Sequence, residues 1–194
     1  MDNIKKINNK IKLDKLLIWI IFTILFVINS EYKSYAQKVD EYNLKMAYIL
    51  NFPLLVEWPE NSNVNNENEP FVITIIGDNP FNGKFKAVIE TGKKKIKNKT
   101  VVLRQVDNIE EIRNPNLVFI SSSEKHEISK IIDYLSGKPI LIIGDTEGYS
   151  NRGVMINMFK RNSKIQFNIN IKEAKKSNMH ISSRLLVNAS KVYK

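Results

Sequence analysis

Two near-continuous apolar runs constrain this chain most: Phe71–Ile76 (FVITII) and residues 140–143 (ILII), each followed directly by Gly-Asp. Strands of that composition are buried on both faces, which happens mainly in sheets covered by helices on either side. Leu117–Ile120 (LVFI) reads as a third such strand, and residues 100–106 as another. Between the third strand and the run at 140, Ile128, Ile131, Ile132 and Leu135 repeat at helical spacing before Gly137 and Pro139 stop them. Strand and helix therefore alternate, and a parallel sheet is the expectation.

The N-terminus decides where such a domain works. Five lysines lie within the first 15 residues, and residues 16–28 (LLIWIIFTILFVI) form an uncharged apolar run of 13. Ser34-Tyr35-Ala36 then supplies small residues at the −3 and −1 positions of a cleavage site. This order is that of a secretory signal peptide over 1–36, cleaved near Ala36. A membrane-spanning helix needs about 20 apolar residues, so the run is short for an anchor. The expected product is an exported, periplasmic, single α/β domain over 37–194. Removal of the leader leaves 24 basic and 17 acidic side chains, a net charge of +7.

That charge raises nucleic acid as a partner, but export argues against it, and the lysine cluster at 93–99 reads as a solvated loop before a strand. The chain has no cysteine, so an exported fold must stand on its core without disulfides, and no thiolate metal site can form. His126 and His180 have no carboxylate at ligand spacing. Neither metal nor cofactor is expected.

The remaining pattern fills in the architecture. Residues 39–54 place Val39, Tyr42, Met46, Ile49, Leu50 and Pro53 near one helical face, and Trp58-Pro59 closes that helix. Residues 60–70 are a polar, Asn-rich loop. After the first strand, Asn79 and Pro80 suit the cap and first position of a helix. Ser121 and Glu124 stand at capping-box spacing. Residues 154–159 and Lys164–Asn170 flank a polar turn, and Ile165, Phe167 and Ile169 alternate with polar residues, as in a half-buried hairpin arm. Asn170 with Glu173 is expected to cap a short helix, and Ser183 a last one carrying Leu185, Leu186, Ala189, Val192 and Tyr193. The expected fold is an α/β three-layer sandwich with a mixed, mostly parallel sheet and a C-terminal antiparallel hairpin.

Both Gly-Asp turns should lie at the carboxyl ends of core strands, where open α/β sheets place ligands. Asp78 and Asn79 on one lip, with Asp145 and Thr146 on the other, outline a ligand crevice. Two carboxylates there could serve acid–base work, although turn chemistry explains Gly and Asp equally well. GDNPFNG is no phosphate loop, since it lacks the spacing and the lysine. The serines at 121–123 sit in no G-x-S-x-G frame. Arg152 and Arg184, two of only five arginines, occupy turns where a guanidinium can hold a carboxylate.

The order of blocks KMAYILNFPLLVEWP (45–59), ITIIGDNPFNG (73–83), VFISSSE (118–124), LIIGDTEGYSNRGVMINM (141–158), FNINIKEAKK (167–176) and ISSRLL (181–186) resembles the YfiR-like family of periplasmic regulatory proteins. The resemblance spans nearly the whole mature chain. It implies a non-enzymatic regulator that binds the periplasmic sensor region of an inner-membrane signalling protein, a diguanylate cyclase or a sensor histidine kinase. Such a regulator restrains cyclic-di-GMP signalling and biofilm formation. It also points to Arg152, Gly153, Met155 and Asn157 of the RGVMIN block, and Ser182, Ser183 and Arg184 of ISSRLL, as partner-binding residues. A homodimer stays open, and the rival reading is a soluble periplasmic small-ligand-binding module. Two departures stand out: Val154 replaces a usual glycine, and the cysteines of some relatives are missing.

Overall fold

The computed structural model describes residues 41–194 except 82 and 93, together with Trp19, Thr23 and Ile24; the expected leader and its cleavage site lie outside the described residues. Contacts divide the chain into Met1–Glu41 and Tyr42–Lys194. In the first unit, the Thr23 hydroxyl donates to the Trp19 carbonyl at 3.0 Å. The second unit carries the fold. Among the described residues no helix is long and apolar enough to cross a membrane.

Residues 42–51 form helix α1, which turns Met46, Ile49 and Leu50 into the core. Pro53 cannot continue the hydrogen-bond ladder, and the chain tightens into the 3-10 turn Phe52–Leu55 before β1 (Val56–Glu57). The wholly buried β2 (Phe71–Ile76) follows the polar loop. Helix α2 (Lys84–Thr91) leads to the hairpin β3 (Lys95–Ile96) and β4 (Lys99–Val106), and then to β5 (Leu117–Ile120). Helix α3 (Ile128–Leu135) buries all four of its spaced apolar residues and returns the chain to β6 (Leu141–Gly144). The hairpin β7 (Ile156–Arg161) and β8 (Lys164–Asn170), α4 (Ile171–Lys176), β9 (His180–Ile181), α5 (Ser183–Leu186) and β10 (Lys191–Tyr193) complete the domain.

Eight strands form one sheet in the order β10-β8-β7-β6-β5-β2-β4-β3, and β1 pairs with β9 separately. β6, β5, β2 and β4 are mutually parallel, whereas β7 with β8 and β3 with β4 are antiparallel. The crossovers β2–α2–β4 and β5–α3–β6 step in opposite directions along the sheet. Right-handed connections therefore put α2 and α3 on opposite faces, giving three layers. This is the mixed α/β sheet expected from the sequence.

Several local expectations are corrected. Asn79 does not cap α2: its Oδ1 accepts from Phe81 N at 3.0 Å in an Asx-type turn, and α2 starts after Gly83. Ser121 lies buried, and only its carbonyl, not its side chain, meets Glu124 N, so the capping box does not form. Ser182, one residue earlier than expected, caps α5 by accepting from Arg184 N. The last helix ends at Leu186. Val192 and Tyr193 lie instead in β10, because the free edge of β8 offers partners to β-favouring residues (Val192 opposite Ile169). His180, between α4 and α5, lies in the short strand β9 opposite Glu57 of β1. The lysine cluster makes a tight hairpin through Lys97 and Asn98, both at positive φ. Its Lys99 is buried, donating to Glu69 O at 2.8 Å and to Asn66 O.

Candidate functional site

β2, β5 and β6 end along one edge of the sheet. The chain leaves β2 for β4 on one side and later passes from β5 to β6 on the other, so the topological switch falls between β2 and β5. That is where open α/β sheets leave a crevice. Here the crevice is filled. Gly77 adopts φ +85°, and a Cβ on it would lie 2.2 Å from Ser123 Oγ. Asp78 N donates to Ser123 Oγ at 3.0 Å, and that hydroxyl donates to Glu124 Oε1 at 3.0 Å. Asp78 itself is exposed.

The second lip is built differently. Lys45 comes from the inward face of α1, and its Nζ sits 2.9 Å from Asp145 Oδ2, with the two side chains only 3% and 2% exposed. The Lys45 ammonium also lies 4.5 Å from the centre of the Tyr42 ring. Asn157 Nδ2 donates to Thr146 O at 2.9 Å. Buried Tyr149 donates to Ser121 O at 3.3 Å, which ties the turn after β6 to the end of β5. Burial pushes the Tyr149 phenol above its ordinary value of 10.0, and the nearby Asp145 and Glu124 carboxylates act in the same direction. Gly144 makes room for that ring, since a Cβ there would lie 2.7 Å from Tyr149 Cδ2.

General acid–base chemistry needs a carboxylate that substrate can reach. Asp145 is sealed and neutralised by Lys45, while Asp78 faces solvent, so the two do not form an open catalytic pair. Surface hollows among the described residues lie elsewhere. One of about 360 Å³ runs between α1, β8 and α5, lined by Tyr48, Phe52, Leu55, Ile165 and Phe167 with Arg184 at its rim.

The two segments expected to bind a partner divide by depth. Arg152 is exposed and donates to Lys125 O at 3.3 Å. Gly153, Met155 and Asn157 are buried and shape the turn that presents it. Gly153 has φ +106°, and a Cβ on it would lie 2.6 Å from Ile132 Cγ2. Val154, the departure from the usual glycine, is fully buried and free of positive φ; the left-handed residues of the turn Tyr149–Arg152 are Gly148 before it and Gly153 after it. Ser183 and Arg184 are exposed, and Ser182 is half-buried, anchored by its N–H to Leu55 O at 2.9 Å. Lys45 and the groove residues were missed in the sequence. A signal existed, because Lys45 falls between Tyr42 and Ile49 on the apolar face of its helix.

Residues 42–190 match the family described as YfiR/HmsC-like. Among curated proteins none matches the sequence. Among solved structures, a conserved domain protein from Vibrio cholerae O1 biovar El Tor is similar at TM-score 0.46 and 10% identity, over 68% of this chain and 60% of that one. An ABC domain from Streptococcus pneumonia, solved in complex with L-Trp, is similar at TM-score 0.48 and 12% identity, over 62% and 54%. The chain thus spans less than two thirds of either protein, and both are distant likenesses.

Proposed function

The chain belongs to the YfiR/HmsC-like family, and from that premise we propose that it is a periplasmic regulator that binds and restrains the periplasmic sensor region of an inner-membrane signalling protein. The output is a diguanylate cyclase or a sensor kinase, so the protein tunes cyclic-di-GMP-type signalling without catalysing a reaction itself. One observation carries this reading beyond family membership: the buried Lys45–Asp145 pair. A carboxylate at the sheet edge that would serve a substrate is here bonded to the chain's own lysine. What the domain offers outward is surface, not a catalytic cleft.

The docking surface is centred on Ser183 and Arg184, with Arg152 as a second contact. The groove beside Arg184 suits an apolar side chain of the partner, and the guanidinium suits a carboxylate flanking it. A signal acts by binding the docked and free forms unequally. The test is intracellular cyclic-di-GMP in cells that lack the protein and are then supplied with the natural form or with Arg184→Glu. The natural form should lower the signal, and the variant, folded and exported to the same level, should leave it high. Full repression by Arg184→Glu would refute the assignment of this surface.

A further inference from the structure

Charge is divided unevenly along this chain. Residues 37–155 carry 15 basic and 16 acidic side chains, whereas residues 156–194 carry nine basic and one acidic. That last stretch builds one end of the sheet, where β7, β8 and β10 lie side by side. Arg161 and Lys164 flank the tip of the β7–β8 hairpin and stand directly opposite each other. Lys191 of β10 stands opposite Asn168. Side chains alternate along a strand, so the buried Ile165, Phe167 and Ile169 leave Lys164, Gln166 and Asn168 on the other face. Residues paired across a ladder share a face, which puts Arg161, Lys164 and Lys191 on it together, all three exposed. At the far end of β8, about 20 Å from the tip, α4 adds the exposed Lys172, Lys175 and Lys176 along one helical side.

Local structure does not require this arrangement. Like charges opposed in a ladder, or four apart on a helix, are destabilising. The helix dipole accounts for Lys175 and Lys176 in the last turn of α4 but opposes Lys172 in the first. Lys176 meets Glu173 at 2.7 Å. Among the described residues no carboxylate reaches Arg161, Lys164, Lys172, Lys175 or Lys191. Arg161 and Lys191 lie instead against the rings of Phe159 and Tyr193, 5.7 and 4.5 Å from their centres. Those contacts hold the cations in place without neutralising them.

We infer, resting on the regulatory reading above, that this end of the sheet lies on the anionic headgroups of a phospholipid leaflet and holds the protein there. The cations are spread over the sheet end and line none of the hollows noted above. Such a spread fits a broad, continuous anion better than an acidic peptide, which needs a groove. Val187, in the turn between α5 and β10, is 80% exposed. A valine so placed among basic residues reaches the boundary between headgroups and acyl chains. Arg184 lies in α5 just before it, so a leaflet at this end brings the docking groove to a partner held in the same membrane.

The test is sedimentation of the protein, purified as the cell processes it, with vesicles of phosphatidylethanolamine and phosphatidylglycerol or of phosphatidylcholine alone. It should bind only the vesicles that contain phosphatidylglycerol, and rising salt should release it. Each cation near an anionic leaflet is worth roughly a factor of five, so Arg161→Gln, Lys164→Gln and Lys191→Gln together should weaken binding about a hundredfold. Lys84→Gln, Lys86→Gln and Lys95→Gln remove the same charge towards the β3 end of the sheet and should weaken it only a few-fold. All six positions are exposed, so unchanged melting verifies both folds. The chain has no cysteine, so Val187→Cys can carry a single polarity-sensitive dye, whose emission should shift to the blue on phosphatidylglycerol vesicles. No binding, equal binding to both vesicles, equal losses in the two triple variants, or no shift of the dye would overturn the inference. Tighter binding to polyglutamate than to the vesicles would overturn it too, by assigning the surface to an acidic protein. No partner protein is present in this test, so its failure leaves the regulatory reading to be judged separately by Arg184→Glu.

Discussion

Two turns of this domain carry the same Gly-Asp dipeptide at the same edge of the same sheet, and they have opposite fates. After β2, Asp78 points to solvent, and only its backbone N–H is engaged, by Ser123. After β6, Asp145 is sealed against Lys45. The dipeptide encodes a turn at a strand end. What decides exposure is the element that arrives overhead, and only the second turn lies within reach of the lysine of α1. Identical local chemistry thus yields a solvent-facing residue in one place and a structural anchor in the other.

Substitution of each aspartate separates the two most sharply. Asp145→Ala takes the carboxylate from a buried ammonium and should cost about 3–5 kcal/mol, whereas Asp78→Ala should stay within about 0.5 kcal/mol. Urea unfolding of both variants checks this. An apolar replacement of the whole pair, Lys45→Met with Asp145→Leu, should recover much of the loss, because a buried pair is far costlier to halve than to remove.

A smaller effect is expected at Gly144, whose backbone is ordinary but whose Cβ position is occupied by the Tyr149 ring. Gly144→Ala should destabilise by about 1–3 kcal/mol through overpacking, read from the same unfolding curves. Gly83→Ala serves as a control for space alone: nothing lies near its Cβ position, and its cost comes only from φ +74°.

The smallest effect depends on pH. Tyr149 keeps its proton more firmly folded than unfolded. Stability from this group is therefore complete below the unfolded value of 10.0 and is lost as pH rises through the higher folded value. The natural protein should weaken from about pH 10 upward, and Tyr149→Phe should show a flatter alkaline limb. At neutral pH that variant should lose about 1 kcal/mol, the ordinary worth of the hydrogen bond to Ser121 O. Denaturation midpoints measured across the alkaline range compare the two.

The sheet was legible because its strands are written in burial: FVITII and LVFI cannot face water, and the 3-4 spacing of Ile128, Ile131, Ile132 and Leu135 fixes α3 between LVFI and the apolar run at 140. The hairpin was legible from alternation in β8. The C-terminus was not, because Leu185, Leu186 and Ala189 keep helical spacing while Val192 and Tyr193 find partners on β8 that only tertiary structure supplies. Of the site, the Gly-Asp turns were readable as strand ends, but the 2.9 Å bond between Lys45 and Asp145 joins residues a hundred positions apart, a pairing no local pattern encodes. The depth of Met155 and Asn157 was hidden for a related reason: the turn at Arg152 reads as surface, and the strand after it turns its residues inward.

Chemical cross-linking of the protein in place, in the intact envelope, followed by mass spectrometry of what it captures, tests the regulatory reading most directly. The account predicts recovery of one inner-membrane protein with a periplasmic sensor region and a cytoplasmic signalling domain, cross-linked near Arg184 and lost on Arg184→Glu. Recovery of the protein with no such membrane partner, in cells whose cyclic-di-GMP does not respond to its removal, would contradict it.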